Sequence, residues 1–228
     1  MKILAIIQAR SGSIRLPNKA LLHLHGYPMI QWIHLRLKAC QKIDQRVFAL
    51  PDNPIDDPLA HVLEDLGADV YRGNESDVLK RVTDAANLYQ PSHVIRICAD
   101  NPLVSPQCIE ELIDFYTRSD YDYAYNHIPH NNRFPDGLGA EILSLELLQS
   151  LEKLANKPDQ REHLLNYIWD HPGKYKIGTF DPSNPKISRP DLKLDIDTPL
   201  DYLKFLKLPL HPAMTDEEIV YIFSLGQT

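Results

Sequence analysis

The fold of this chain can be inferred from its opening stretch, Lys2-Ile-Leu-Ala-Ile-Ile-Gln-Ala-Arg-Ser-Gly-Ser-Ile-Arg-Leu-Pro-Asn-Lys19. The first half, residues 2–9, holds a short apolar run that is typical of a buried strand. The second half places the small residues 11–13 between two arginines and ends on a lysine. Small residues let backbone N–H groups approach an anion, and the cations compensate its charge. The stretch therefore predicts a first strand followed by an anion-binding loop.

The charge distribution favours the same interpretation. Residues 1–43 contain seven Lys or Arg and no Asp or Glu, which leaves 17 basic against 31 acidic residues elsewhere. Three of the early cations, Arg36, Lys38 and Lys42, fit the solvated face of a helix. Neither a dinucleotide fingerprint nor a P-loop motif is present, so an ordinary solvated loop is the alternative interpretation of the opening segment.

Downstream, strand patterns alternate with helix patterns. Strands are predicted at 2–9, 47–50, 70–71, 93–98, 121–125 and 192–196, and helices are predicted to begin near Pro28, Asp57, Ser76, Ser105, Leu145, Arg161, Thr198 and Thr215. Residues 126–139 are rich in Asn, Pro and Gly and predict a long loop. This alternation predicts an α/β protein with a largely parallel sheet flanked by helices.

Ligands of parallel sheets bind outside the carboxyl ends of the strands. The residues that follow the predicted strands are 10–19, Asp52-Asn53, Asp100 and Asp197. Asp100 and Asp197 are candidate ligands of Mg²⁺, which prefers carboxylate oxygens, waters and phosphates. The alternatives are a turn at Asp100-Asn-Pro102 and a helix N-cap at Asp197.

Composition excludes several classes of protein. The chain has 228 residues, of which 43% are hydrophobic and 24% charged, as in a globular protein of one domain. A net charge of −7 argues against a nucleic-acid partner, and no apolar stretch approaches the ~20 residues of a membrane span. Three sparse cysteines, Cys40, Cys98 and Cys108, predict a cytoplasmic protein and no zinc site.

Several motifs together resemble a known family. The opening motif Ile7-Gln-Ala-Arg-Ser-Gly-Ser-x-Arg-Leu-Pro-x-Lys19 is similar to that of the cytidylyltransferases that make CMP-activated sugar acids, such as CMP-Kdo synthetase and acylneuraminate cytidylyltransferase. Within this family, the chain most resembles the branch named for spore coat polysaccharide biosynthesis protein F. The further matching segments are 52–59, 96–103, 134–141, 161–167 and 197–201.

The resemblance implies a Rossmann-like, GT-A-like nucleotidyltransferase fold. It implies that an acceptor hydroxyl attacks the α-phosphate of CTP, that pyrophosphate leaves, and that the acceptor is an anionic sugar. Mg²⁺ would be held by Asp100 and Asp197, and the catalytic residues would be Lys19, Arg15 and Asp100. The substrate-binding residues would be Gln8, Ala9, Arg10, Ser11, Gly12, Ser13, Asp52, Arg96, Glu141, Arg161 and His163.

The resemblance also implies the organisation of the whole chain. Residues 1–228 would form a single nucleotidyltransferase domain and assemble as a homodimer. Residues 1–125 would be the nucleotide-binding half, 126–190 an acceptor and dimerisation region, and 191–228 a closing strand and helices.

The chain departs from the family pattern at two places. Ala99 stands where Gly is usual before the aspartate, and Gly139-Ala140 replaces an acidic-then-apolar pair before Glu141. Two other functions stay open. One is a GT-A-type glycosyltransferase, because residues 120–122 and 195–197 are both Asp-x-Asp patterns. The other is a nucleotide-binding regulator of the same fold without turnover.

Overall fold

The computed structural model describes residues 1–226, in which nine strands and nine α-helices alternate along most of the chain. The strands are β1 Ile3–Gln8, β2 His23–Leu24, β3 Tyr27–Pro28, β4 Gln45–Pro51, β5 Asp69–Gly73, β6 His93–Cys98, β7 Tyr123–Tyr125, β8 Glu141–Ser144 and β9 Ile177–Gly178. The helices are α1 Met29–Leu37, α2 Asp57–Asp65, α3 Val78–Tyr89, α4 Pro106–Thr117, α5 Leu145–Leu154, α6 Pro158–Glu162, α7 Asn166–Asp170, α8 Pro199–Lys207 and α9 Asp216–Leu225. None of these helices has the length and apolar character needed to cross a membrane.

The main sheet has the strand order β5-β4-β1-β6-β8-β7-β9. Strand β1 pairs in parallel with both β4 and β6, and β4 pairs in parallel with β5. Strand β8 is antiparallel to both of its neighbours, β6 and β7. The predicted α/β class with a mainly parallel sheet is confirmed, and one half of the sheet adds antiparallel pairing.

Helices cover both faces of β1, which explains why its sequence is apolar without interruption. Successive side chains of a strand point to opposite faces. Ala5 and Ile7 therefore pack with buried side chains of α1, α2 and α4, whereas Leu4 and Ile6 pack with those of α3 and α5. A third cluster, which includes Trp32, joins α1 to the C-terminal helices α8 and α9.

The late strand predicted at 192–196 is wrong. These residues form an extended segment with a single bridge, between Asp136 and Lys193. Leu194, Ile196 and their apolar neighbours are buried in the third cluster, which accounts for the strand-like pattern. The pairing with residue 136 does not continue, because the amide of Ile196 donates to the carbonyl oxygen of Asp100 at 2.9 Å.

Other local predictions also needed correction. The helix predicted to begin near Arg161 is interrupted, and the chain forms the two short helices α6 and α7 there. Asp77, not Ser76, caps α3, because its carboxylate accepts from the Lys80 amide at 2.9 Å. Strand β8 was not predicted, since four residues at the end of a Gly-rich loop carry too short a pattern.

Arg36 was predicted to lie on a solvated helix face, and this is wrong. Its side chain is 3% exposed and its guanidinium lies 3.2 Å from the Asp216 carboxylate. It also donates to the carbonyl oxygens of Val104 and Met214. A pattern of charges along one helix could not reveal this, because Asp216 is 180 positions away in the sequence.

Candidate active site

A cleft of about 460 Å³ opens beyond the carboxyl ends of β1 and β6. This is the edge of the sheet at which parallel strands present their loops, and ligands of such sheets bind there. The lining residues are Gln8, Ala9, Arg10, Ser13, Ile14, Arg15, Lys19, Ala20, Arg96, Cys98, Ala99, Asp100, His163 and Asp197.

The two candidate metal ligands converge on one lysine in this cleft. The Lys19 ammonium lies 3.1 Å from a carboxylate oxygen of Asp197 and 3.8 Å from one of Asp100. Arg15 approaches the other oxygen of Asp197 at 3.0 Å. The backbone bond between the Ile196 amide and the Asp100 carbonyl holds the two distant segments together. Two carboxylates and two cations thus share one end of the cleft.

Helix capping does not account for Asp197. Thr198 is the N-cap of α8, with its hydroxyl accepting from the Asp201 amide, and Asp201 returns the bond to Thr198. The side chain of Asp197 is left to face Lys19 and Arg15. The N-cap interpretation of Asp197 is therefore wrong, and its carboxylate pairs with the two cations in the cleft.

Asp56 holds the basic loop in place. Its buried carboxylate accepts the Ser11 amide at 2.6 Å. The Ser11 carbonyl in turn accepts the amides of Ser13 and Asn18 at 2.8 and 3.2 Å. The loop is therefore folded back on itself, and the Arg15 side chain, 67% exposed, extends from it. No local sequence pattern singled out Asp56, because its partner Ser11 lies 45 positions earlier.

The residues at Asp100 and Asp197 fit a divalent cation. An ammonium group already lies between the two carboxylates, so a positive charge suits that position. Within the described chain, no three His, Cys, Asp or Glu side chains cluster so as to hold a metal ion by themselves. Mg²⁺ commonly uses only one or two carboxylates and completes its shell with waters and phosphate oxygens. The donor set therefore suits Mg²⁺ bound together with a phosphate.

Further carboxylates add negative charge beside this pair. Burial, followed by the charges of Asp195 and Asp100, raises the pKa of Asp136 to about 6. Burial likewise raises the pKa of Asp195. The folded protein therefore holds a proton on Asp136 more readily than the unfolded chain does.

Replacing Asp136 by Asn is expected to stabilise the protein at pH 7 but not at pH 4. An aspartate of the unfolded chain has a pKa near 3.9, so Asp136 destabilises the fold increasingly between that pH and about 6, and the effect is complete above about 6. The expected gain at pH 7 is about 2 kcal/mol in the free energy of unfolding. Thermal unfolding at both pH values in EDTA measures it. Asp120→Asn, at a fully exposed site, is the control, and an equal gain at both pH values for Asp136→Asn would contradict the expectation.

A buried ion pair adjoins the same cleft. Arg96 of β6 and Glu141 of β8 are directly opposite in the antiparallel pairing, and their side chains meet at 2.5 Å. The hydroxyl of Tyr123 donates to the second oxygen of Glu141. Burial alone would raise the pKa of Glu141, but His127, Arg96 and the hydrogen bonds hold it below the ordinary value. Glu141 is therefore an ionised carboxylate in the protein interior.

The structure does not bring every predicted site residue to the cleft. Asp52 is 79% exposed and lies 3.9 Å from Arg72, away from the lining residues. The Arg161 guanidinium binds Asp77 and Glu152 instead of facing the cleft. Ser11 and Gly12 belong to the loop, although their side-chain positions do not line the cleft. Gln8, Ala9, Arg10, Ser13, Arg96 and His163 do line it.

Four lining residues were not proposed as site residues from the sequence, namely Ile14, Ala20, Cys98 and Ala99. Of these, only Cys98 carries a titratable group. Cys98 lies between Arg96 and Asp100 on β6 and its loop, and alternation along the strand gave no reason to single it out. Burial raises the pKa of its thiol to about 12, so Cys98 stays protonated at neutral pH. A thiol in that state is a poor nucleophile, and the cleft offers no cysteine chemistry through it.

Comparison with known proteins gives one family and close relatives. The sequence profile of the family described as Cytidylyltransferase matches residues 4–222. The spore coat polysaccharide biosynthesis protein SpsF of Bacillus subtilis (strain 168) is 34% identical over 208 residues, which span 88% of this chain and 83% of that protein. A 3-deoxy-manno-octulosonate cytidylyltransferase of Acaryochloris marina is 31% identical over 119 residues, 51% of this chain and 47% of that protein.

A solved structure shares the whole fold. The cytidylyltransferase from Leptospira borgpetersenii serovar Hardjo-bovis superimposes with a TM-score of 0.89 at 26% sequence identity. The superposition covers 100% of this chain and 95% of that one. The arrangement of strands and helices described above is therefore that of a known nucleotidyltransferase.

Proposed function

We propose, from the premise that this chain belongs to the cytidylyltransferase family, that it transfers CMP from CTP to a sugar acid and releases pyrophosphate. The product would serve the synthesis of a surface polysaccharide or glycan. The single observation that carries the proposal is the convergence of Asp100, Asp197 and Lys19 at one end of the cleft. Charge neutralisation and positioning supply most of the catalysis in transfers of this kind, and this cluster would provide both.

Each member of the cluster has a distinct role in this proposal. Asp100 and Asp197 would hold Mg²⁺, which polarises phosphate oxygens and orients both substrates when it is bound. Lys19 and Arg15 would release Asp197 and pair with the triphosphate oxygens. The acceptor hydroxyl would attack the α-phosphate, and pyrophosphate would leave with its charge compensated by these cations.

The remaining lining residues would contact the substrates. We assign substrate binding to Gln8, Ala9, Arg10, Ser13 and His163, which line the cleft. Ser11 and Gly12 would shape the loop instead, because the Ser11 amide donates to Asp56. The antiparallel half of the sheet, where β8 lies, would receive the acceptor. Asp52 and Arg161 make their contacts elsewhere, so we assign them no substrate contact in this cleft.

We also propose a cellular setting and an assembly. Free Cys40, Cys98 and Cys108 suit a reducing cytoplasm. The chain would act as one nucleotidyltransferase domain and as a homodimer through the region 126–190. Nucleic acid and membrane are not expected partners of so acidic a protein.

The test is pyrophosphate release from each of CTP, UTP, ATP and GTP with Mg²⁺, against a panel of sugar acids and sugar phosphates. We expect release with CTP and one sugar acid only. A glycosyltransferase would use a nucleotide sugar and release no pyrophosphate. A regulator would bind CTP in a parallel titration and turn over no acceptor. The glycosyltransferase result and the regulator result would each refute the proposal.

A further inference from the structure

Arg96 lines the cleft from the strand side and not from the basic loop. Its side chain is 16% exposed, and it belongs to β6, next to the antiparallel strand β8. Arg15 and Lys19, in contrast, follow β1 and approach Asp197. The cleft therefore carries cationic groups from two separate parts of the fold.

The guanidinium of Arg96 is held in one orientation. It donates to Glu141 at 2.5 Å, and its Nε and second terminal nitrogen donate to the side-chain oxygen of Gln8 at 3.4 and 3.2 Å. Glu141 is itself 4% exposed and accepts from the Tyr123 hydroxyl. Three of the five N–H groups of the arginine are used in this way, which leaves two for a ligand in the cleft.

The resemblance also implies substrate binding by Arg161, but this arginine is engaged elsewhere. Arg161 donates to the Asp77 carboxylate, to the Glu152 carboxylate at 3.1 Å and to the Glu152 carbonyl at 2.6 Å. Freeing it would leave two carboxylates without their cation. Arg96 needs no such rearrangement, because it already faces the cleft.

We propose that Arg96 binds the carboxylate of the acceptor sugar acid and that Glu141 is the positioning residue that orients it; the inference rests on the proposed function. A guanidinium presents parallel N–H groups to a planar carboxylate. Glu141 neutralises the formal charge of Arg96, so the pair suits a singly charged anion better than a phosphate dianion. The amide of Gln8, in the same cleft, adds a neutral donor.

Binding measurements test Arg96 directly. The probes are 3-deoxy-manno-octulosonate, N-acetylneuraminate and their methyl esters, titrated in the presence of Mg²⁺ and a CTP analogue with a methylene bridge between the α- and β-phosphates. The unaltered protein is expected to bind an acid at least tenfold more tightly than its ester. Arg96→Gln is expected to lower the affinity for the acid about 10- to 100-fold. The affinities for the ester and for the CTP analogue should not change.

Three outcomes would overturn the role of Arg96. They are no binding of any acid, an unchanged affinity for the acid in Arg96→Gln, or an equal loss of affinity for the acid and for its ester. Pyrophosphate release with CTP is measured separately. An acid that binds through Arg96 but is never transferred would refute the proposed function and leave the Arg96 assignment standing. If CMP is transferred to an acid whose affinity is the same in Arg96→Gln, the proposed function stands and the Arg96 assignment is refuted.

Glu141→Gln tests the positioning role. It is expected to weaken acid binding about tenfold without changing the affinity for the CTP analogue. Asp216→Asn is the matched control, because Asp216 forms a similarly buried ion pair with Arg36 and lies outside the cleft-lining residues. The control is expected to lower the melting temperature and leave acid binding intact. If Glu141→Gln behaves in the same way, Glu141 serves the fold alone.

Discussion

Replacing Asp100 by Asn is expected to lower the rate of pyrophosphate release at least about 10²-fold, the scale lost on removing one strong electrostatic stabiliser. The variant keeps the shape of the side chain and removes one of the two carboxylates that face Lys19. The rate should fall because Mg²⁺ would keep only Asp197 as a protein ligand. Steady-state kinetics with CTP and the acceptor identified by the panel measure the loss in kcat.

A matched variant separates this effect from the loss of any surface carboxylate. Asp84→Asn removes an aspartate that pairs with Lys80 at 2.9 Å on α3, away from the cleft-lining residues. Its kcat should equal that of the unaltered protein. Titration with Mn²⁺, followed by electron paramagnetic resonance, should show weaker binding to Asp100→Asn alone. Near-normal kcat and unchanged Mn²⁺ binding in Asp100→Asn would exclude Asp100 as a metal ligand.

Gly139→Ala is expected to destabilise the fold by at least about 3 kcal/mol, because overpacking at a rigid contact is costly. A Cβ at this position would lie 2.2 Å from the carbonyl oxygen of Asn126 and 2.3 Å from its side-chain oxygen. Asn126 has little freedom to move. It is fully buried, and its backbone amide donates to the Ala140 carbonyl at 3.1 Å. Its side chain donates to the Cys108 carbonyl and accepts from the Ala140 amide.

Thermal unfolding measures the effect, and a fall in melting temperature of about 6–12 °C corresponds to 3 kcal/mol for a chain of this size. Gly173→Ala is the control, because a Cβ there meets no atom within 4 Å. It should change the free energy of unfolding by no more than about 0.5 kcal/mol. A melting temperature of Gly139→Ala close to that of the control would show that Asn126 can move aside for the added methyl group at little cost in stability.

Much of the fold and the family were predictable from local patterns. An unbroken apolar run is characteristic of a strand covered on both faces, and β1 has this property. The helix starts predicted near Ser105 and Thr215 are confirmed, and each of these residues caps its helix by accepting an amide three residues on. The resemblance to cytidylyltransferases is confirmed by the family profile over residues 4–222.

Tertiary structure decided what depends on distant partners. The meeting of Asp100 with Asp197 requires the backbone bond between Asp100 and Ile196, which no spacing along the chain encodes. Arg36 and Arg161 are charged residues on helices, and only folding showed that one lies buried against Asp216 and the other pairs with Asp77. Sequence periodicity reports which face of an element is buried. It does not report which charge lies opposite, because that is set by how separate elements pack.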